Sequence, residues 1–272
     1  MKRYEDRIVA YIDVLGFKNQ IKSTLSKDGK EVEEQTQLIY EAYNSIRDIW
    51  DLDSKKNFSN KIRQSKRITI FSDCIIVSVK STEQSALFYM LLEIMWLTMR
   101  LINKGILCRG AVVHGKLYHT QKMIFGPALV EAYMTESKAA LYPRIILDES
   151  VIKIGAKCGL NDSSYEQEHI RALLAKDTDG LYYVEYFSKI QSELDNPLYD
   201  YPDYLQKLKK IIETGIPRTL PIDVRIKYLW MAEKYNDIVR QSKSPQFIKA
   251  LNDEEEHELR EFYQALTEIA IP

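Results

Sequence analysis

Residues 8–15 (IVAYIDVL) form an apolar run broken by a single carboxylate, the pattern of a strand buried on both faces. Gly16 and Phe17 then turn the chain. Between residues 31 and 50 the apolar positions Val32, Leu38, Ile39, Ala42, Tyr43, Ile46 and Ile49 or Trp50 recur at three- and four-residue steps, which predicts a helix with one buried face. The polar, basic stretch 51–67 reads as an exposed connection. ITIFSDCIIVSV (68–79) predicts a hairpin with its turn at Ser72-Asp73. A strongly apolar helix follows over 85–103, stopped by Lys104-Gly105. ILCRGAVVHGKLY (106–118) reads as a strand with Gly115 near a turn. Pro127 opens a helix over 128–141, Pro143 ends it, and RIILD (144–148) is a further strand. GLYYVEYF (180–187) alternates as a last strand.

From about residue 190 the pattern changes. Pro197, Pro202, Pro217 and Pro221 punctuate helical segments at 203–213, 222–240 and 253–268. The expected division is therefore a catalytic-type domain over 1–190 and a helical extension over 191–272.

Composition narrows the classes. Of 272 residues, 45% are hydrophobic and 28% charged, as in an ordinary globular chain. The net charge of −1 offers no global attraction to nucleic acid or a membrane surface, so any bound anion needs local contacts. Cys74, Cys108 and Cys158 are widely spaced with no CxxC pair, which argues against a disulfide framework and for a reducing, cytoplasmic setting. The charged start MKRYEDR has no apolar signal core behind it, and Glu93 and Arg100 interrupt the most apolar helix, so no membrane insertion is expected.

Two aspartates sit in apolar strands: Asp13 in IDVLGF and Asp73 in IFSDCIIV. An ionised carboxylate in such surroundings is costly unless compensated. Each could cap a turn, each could pair with a buried arginine, or the two could share a divalent cation.

The order of these features resembles the class III adenylyl and guanylyl cyclases over residues 8–187. Asp13-Val14-Leu15-Gly16-Phe17 looks like that family's first metal motif. Ser72-Asp73 looks like its Gly-Asp hairpin, with serine in place of glycine. Cys108 to Gly115 looks like its Arg-x-Gly-x-His strand in a shifted form that keeps Arg109 and His114. The resemblance implies an α+β, ferredoxin-like catalytic domain, with a mixed, largely antiparallel sheet flanked by helices. It implies a homodimer with active sites at the interface, and two Mg2+ or Mn2+ ions held by Asp13, Asp73 and the Val14 backbone. Backbone N–H groups of Val14, Leu15, Gly16 and Phe17 would cradle phosphate, and Arg109 would serve as a catalytic cation. Lys176 lies near where such enzymes place a phosphate-binding lysine.

The departures are specific. Thr69 and Met123 stand where purine cyclases carry their base readers, and neither offers the usual hydrogen-bond pattern. Val130 and Met134 stand where the family places the Asn and Arg that orient ribose and stabilise the transition state. Phe125-Gly126-Pro127-Ala128, Glu131-Ala132-Tyr133, Glu136 and Tyr142-Pro143-Arg144-Ile145 resemble the pyrimidine cyclases of Pycsar anti-phage defence. That subgroup implies UTP or CTP as substrate and a separate effector that reads the cyclic product. Two alternatives stay open: a purine cyclase with unusual base readers, and a catalytically weak homologue that binds nucleotide and signals.

Several other residues have ordinary readings. Arg109 could pair with Glu131 or Asp148, and Arg144 could be structural. His114 fits a satisfied histidine beside a turn, and Tyr40 and Tyr43 fit core packing. The acidic run 253–262 fits a solvated helix face, and the aromatics Tyr228, Trp230 and Tyr235 fit packing on the main domain or a partner subunit.

Overall fold

The computed structural model describes residues 3–49, 65–159, 163–250 and 257–271. Most of the polar stretch 51–67, Trp50, and the first part of the acidic run lie outside them. The chain forms two compact units, Met1–Val184 and Glu185–Pro272.

The first unit is built on one sheet. Its strands are β1 (Glu5–Val14), β2 (Arg67–Phe71), β3 (Cys74–Lys80), β4 (Cys108–His119), β5 (Ile124–Phe125), β6 (Ile145–Leu147), β7 (Leu174–Lys176) and β8 (Tyr182–Val184). The order is β2-β3-β1-β4-β6-β8-β7, with β5 paired to the end of β4. The first four strands form an antiparallel β4-β1-β3-β2 sheet, the ferredoxin-like arrangement. The β4–β6 pair is parallel and the rest are antiparallel, so the unit is α+β with a mixed sheet.

β1 lies between β3 and β4, which explains its continuous apolar run: Ile8, Val9, Ala10 and Ile12 have no exposed surface. Alternation sends Ile8, Ala10, Ile12 and Val14 to one face and Arg7, Val9, Tyr11 and Asp13 to the other. The first face meets α2 (Glu33–Ile49) and α3 (Ala86–Ile102), with Val14 among Ile39, Ala42, Ile46 and Leu101. On the second face α4 (Pro127–Ala139) sets Ala128 and Ala132 against Val9, Ile76, Val113 and Leu117. Gly115 serves this approach and not a turn: a Cβ there would lie 3.2 Å from that of Ala128, inside a continuous β4.

Some elements had no periodic signature. Gly16, at φ +74°, turns β1 straight into the short helix α1 (Phe17–Ser23), where the sequence suggested only a turn. The segment from 149 to 176 holds α5 (Glu149–Ala156), α6 (Ser163–Ala172) and β7. It opens on a cap in which the Asp148 side chain accepts from the Ser150 N–H at 2.8 Å. The last strand is shorter than 180–187 because Glu185 turns the chain, its carboxylate accepting from the N–H groups of Phe187, Ser188 and Lys189.

The second unit holds a 3-10 turn (Lys189–Glu193), α7 (Pro197–Gly215), α8 (Ile222–Ser242), α9 (Pro245–Ala250) and α10 (His257–Ala265). α7 begins earlier than the pattern suggested: Pro197 takes the first turn and Pro202 is carried inside. Buried Tyr201 and Tyr204 donate to the Phe187 and Tyr186 carbonyls, both at 2.9 Å, and Trp230 meets Phe187 edge-on. Asn236 ties the C-terminal strand-like segment down through a reciprocal pair of hydrogen bonds with Ile269. Among the described residues no helix is long and apolar enough to cross a membrane.

Candidate active site

Asp13 occupies the penultimate position of β1, directly opposite Cys74, the first residue of β3. The two-residue turn before Cys74 places Ser72 in the left-handed region at φ +53° and brings Asp73 alongside. The Val14 N–H donates to the Asp73 carbonyl at 2.9 Å, locking the backbones of the two acidic segments together. Tyr43, projecting from α2, donates to the Ser72 carbonyl and holds the turn from outside. As a result, one ligand atom from each of Asp13, Asp73 and Cys74 lies within 4.8 Å of the others.

The charges in this group are only partly balanced. Burial pushes the Asp13 carboxyl above the usual range; Arg109 opposes that shift and Asp73 adds to it. Arg109 lies opposite Asp13 on β4, with Nε 3.5 Å from Asp13 Oδ2 and 2.7 Å from Glu136 Oε1, while Nη1 donates to the Ala140 carbonyl at 3.2 Å. Burial also raises the Glu136 carboxyl. One guanidinium thus serves two carboxylates, and its partners are Asp13 and Glu136 instead of Glu131 or Asp148. The Tyr11 hydroxyl and Cys74 thiol sit 2.8 Å apart, and burial pushes both upward, so the thiol stays protonated. The charged donors are therefore two carboxylate oxygens. This oxygen-rich set fits a hard divalent cation such as Mg2+ or Mn2+.

The other sequence-selected residues fall into place unevenly. The Val14 and Leu15 N–H groups are taken by the Asp73 and Leu107 carbonyls, so only the amides of Gly16 and Phe17 remain at the turn to meet a phosphate. Lys176 stands on the far edge strand, four strand spacings or about 19 Å from β1, with its ammonium over the Tyr182 ring. Met123 lies on the β4–β5 connection, lining a cavity of about 1140 Å³ with Arg3, Glu5, Arg7, Arg67 and His119. Glu5 lies eight residues, about 26 Å of extended strand, from Asp13. Thr69 faces the same side of the sheet, its hydroxyl 2.9 Å from His119 Nε2. Val130 (62% exposed) and Met134 (39%) look outward from α4. Arg144 is fully buried and pairs with Asp177 and Asp179, a structural role at the β7–β8 turn. Tyr40 is exposed and not in the core.

Tyr11, Cys74, Glu136 and Tyr43 complete the aspartate group without having been singled out as its members. Tyr11 and Cys74 had a signal: two positions before and one after an aspartate on paired strands, they share its surroundings. Glu136 and Tyr43 come from distant helices and had none.

No protein-family model and no curated protein matches the sequence. Among solved structures, the chain is similar to the adenylyl cyclase CyaB from P. aeruginosa, at 15% identity and a TM-score of 0.41 over 68% of this chain and 95% of that one. It is also similar to the catalytic core of a rhodopsin-guanylyl cyclase with converted specificity, at 14% identity and a TM-score of 0.41 over 67% and 96%. A class III adenylyl cyclase-like ATP-binding protein from Pseudomonas aeruginosa shares 8% identity at a TM-score of 0.40 over 70% and 41%.

Proposed function

We propose that this protein is a divalent-metal-dependent nucleotide cyclase that converts a pyrimidine nucleoside triphosphate, UTP or CTP, to its 3′,5′-cyclic monophosphate and pyrophosphate. The convergence of Asp13 and Asp73 at adjoining strand ends carries the reading. Two carboxylates held this close repel each other unless a cation lies between them. When bound, the cations would lower the pKa of the ribose 3′-hydroxyl and neutralise charge on the triphosphate.

The chain's own residues would then position the reactants. Asp13, Asp73 and the Val14 carbonyl would hold the ions. The Gly16 and Phe17 amides receive phosphate oxygens. Arg109, already beside Asp13, adds positive charge near the reacting phosphate. The 3′-oxygen attacks the α-phosphorus in line, and the bond to the β-phosphate oxygen breaks to release pyrophosphate. The distance along β1 between Asp13 and the Met123 cavity supports a head-to-tail homodimer, in which one chain supplies the carboxylates and its partner the base pocket. Thr69 and Met123, which offer no purine-reading hydrogen-bond pattern, support a small base, and the Pycsar-like segments around Phe125–Glu136 support a second-messenger role in phage defence.

A second reading rests on Val130 and Met134: with apolar side chains at those exposed positions, the protein would bind nucleotide and signal with little turnover. One experiment separates the two. Purified protein is incubated with each NTP and Mn2+, and products are resolved by mass spectrometry. Cyclic UMP or cyclic CMP supports the pyrimidine cyclase; cyclic AMP or cyclic GMP as main product keeps a cyclase but removes the pyrimidine assignment; no cyclic product with retained nucleotide binding selects the second reading.

A further inference from the structure

Two carboxylates contest one proton beside the candidate metal ligands. Arg109 Nε carries a single N–H, and that bond is aimed at Asp13 Oδ2 over a long 3.5 Å. Glu136 Oε1 lies closer to the same nitrogen, at 2.7 Å, but off the line of the N–H. The contact is one of charge without a hydrogen bond, and Oε1 is a buried oxygen with no hydrogen-bond partner among the described residues. The other oxygen, Oε2, accepts from the Ser137 hydroxyl at 3.0 Å. Glu136 is 2% exposed, so Oε1 has no access to bulk water. A buried acceptor left unmet is costly.

The other contacts of Arg109 give that cost a purpose. Nη1 donates to the Ala140 carbonyl at 3.2 Å, and Ala140 is the C-cap of α4, where carbonyls lack intrahelical donors. Glu136 lies one turn earlier on the same helix. The end of α4 thus holds the guanidinium through two groups, and only the Nε–H is turned to β1. A guanidinium and a divalent cation compete for one carboxylate, because the two positive charges repel. With Asp13 as its only acceptor, the Nε–H would either stay and weaken the hold on a cation or draw Arg109 out to solvent. Glu136 Oε1 offers a second acceptor at 2.7 Å. A small turn of the guanidinium about the Ala140 contact aims the N–H at that oxygen and satisfies it.

We infer that Glu136 is a positioning residue for Arg109: it takes over the Nε–H when Asp13 turns to a divalent cation, which frees the carboxylate and keeps the guanidinium in the site. This role rests on the proposed metal-dependent nucleotide site and deepens it. Asp13 and Glu136 are the two acceptors between which Arg109 moves.

The test reads metal binding and the Arg109 proton directly. Mn2+ is titrated calorimetrically into full-length wild type, Glu136→Gln, Arg109→Gln and the double variant. Glu136→Gln keeps the side-chain volume and removes the charge that attracts Arg109. It should weaken Mn2+ binding by ~10-fold, the scale of one charge-assisted hydrogen bond. In the Arg109→Gln background the same change should alter the affinity by less than ~2-fold, because Glu136 acts through Arg109. Nitrogen-15 NMR needs no variant at position 136. The Arg109 Nε–H signal of the wild type, assigned by its loss in Arg109→Gln, should shift on addition of Mg2+ and remain slow to exchange with water. An Mn2+ affinity unchanged in Glu136→Gln overturns the inference. So does an equal loss in both backgrounds, which would assign the effect to the charge of Glu136 itself, and so does an Nε–H signal that Mg2+ leaves in place or exposes to water. Wild type that binds no Mn2+ would overturn the metal-dependent reading and this role with it. The expected coupling and signal without a cyclic product from any NTP would support the role of Glu136 and count against the cyclase reading alone.

Discussion

Replacing Asp73 by Asn removes a charge from the acidic turn and almost no volume. The backbone contact that holds the turn, Val14 N–H to Asp73 carbonyl, is untouched. Asp73→Asn should therefore keep its circular dichroism spectrum and melting temperature while cyclic-nucleotide formation falls by ~100-fold or more, since direct ligands matter at least as much as their supports. His119 makes a separate prediction. Its folded pKa of about 4 lies below the ordinary 6.5, so the folded state binds fewer protons between these values. The stability tied to the neutral ring is whole above pH 6.5 and is lost as pH falls toward 4, by about 3 kcal/mol at most. Asp13 and Glu136, with raised pKa values, work in the opposite sense. The measurement is therefore a difference: urea midpoints between pH 7 and 4.5 should fall more steeply for wild type than for His119→Gln.

At the scale of elements, the acidic pair depends on a hairpin turn clamped by a helix. Tyr43 reaches from α2 to the Ser72 carbonyl and packs against Phe17 at the start of α1, so one side chain links α1, α2 and the β2–β3 turn. Tyr43→Phe removes only the hydroxyl. It should cost about 1 kcal/mol of stability and weaken Mn2+ binding by ~10-fold, read by calorimetric titration; unaltered Mn2+ affinity would show that the clamp does not position Asp73. The same elements show how far periodicity reached. The central strand β1, the Ser72-Asp73 hairpin, α2, α3 and α4 were legible because each has a long apolar run, a clear 3.6-residue stripe or a proline start. α1, α5, α6 and β7 are short, and tertiary contacts make up for weak local signals.

For the whole molecule, Phe71 (77% exposed), Val130 and Tyr133 (50%) leave a broad apolar surface on the side of the sheet that carries Asp13 and Thr69. A twofold partner covering it would bring two half-sites together. Val130→Glu with Tyr133→Glu should give a folded monomer by light scattering, with cyclase activity down by ~100-fold or more, because charge buried in an apolar interface goes unpaired. A dimer that persists in this variant would place the interface elsewhere.

Alone, the sequence determined the alternating α+β order, the buried character of β1, and the presence of two carboxylates in apolar strands, because those features are periodic or local. It left open whether each aspartate caps a turn, meets an arginine or shares a site. Tertiary structure set their surroundings by antiparallel register: pairing Asp13 with Cys74 and with Arg109 puts both aspartates and one guanidinium in a single group. It also brought Glu136 and Tyr43 to that group from helices more than 25 residues away. The Arg7–Ser78–His119–Thr69 contacts were likewise beyond the sequence, because those four residues become neighbours only when strands β1, β2, β3 and β4 are laid side by side.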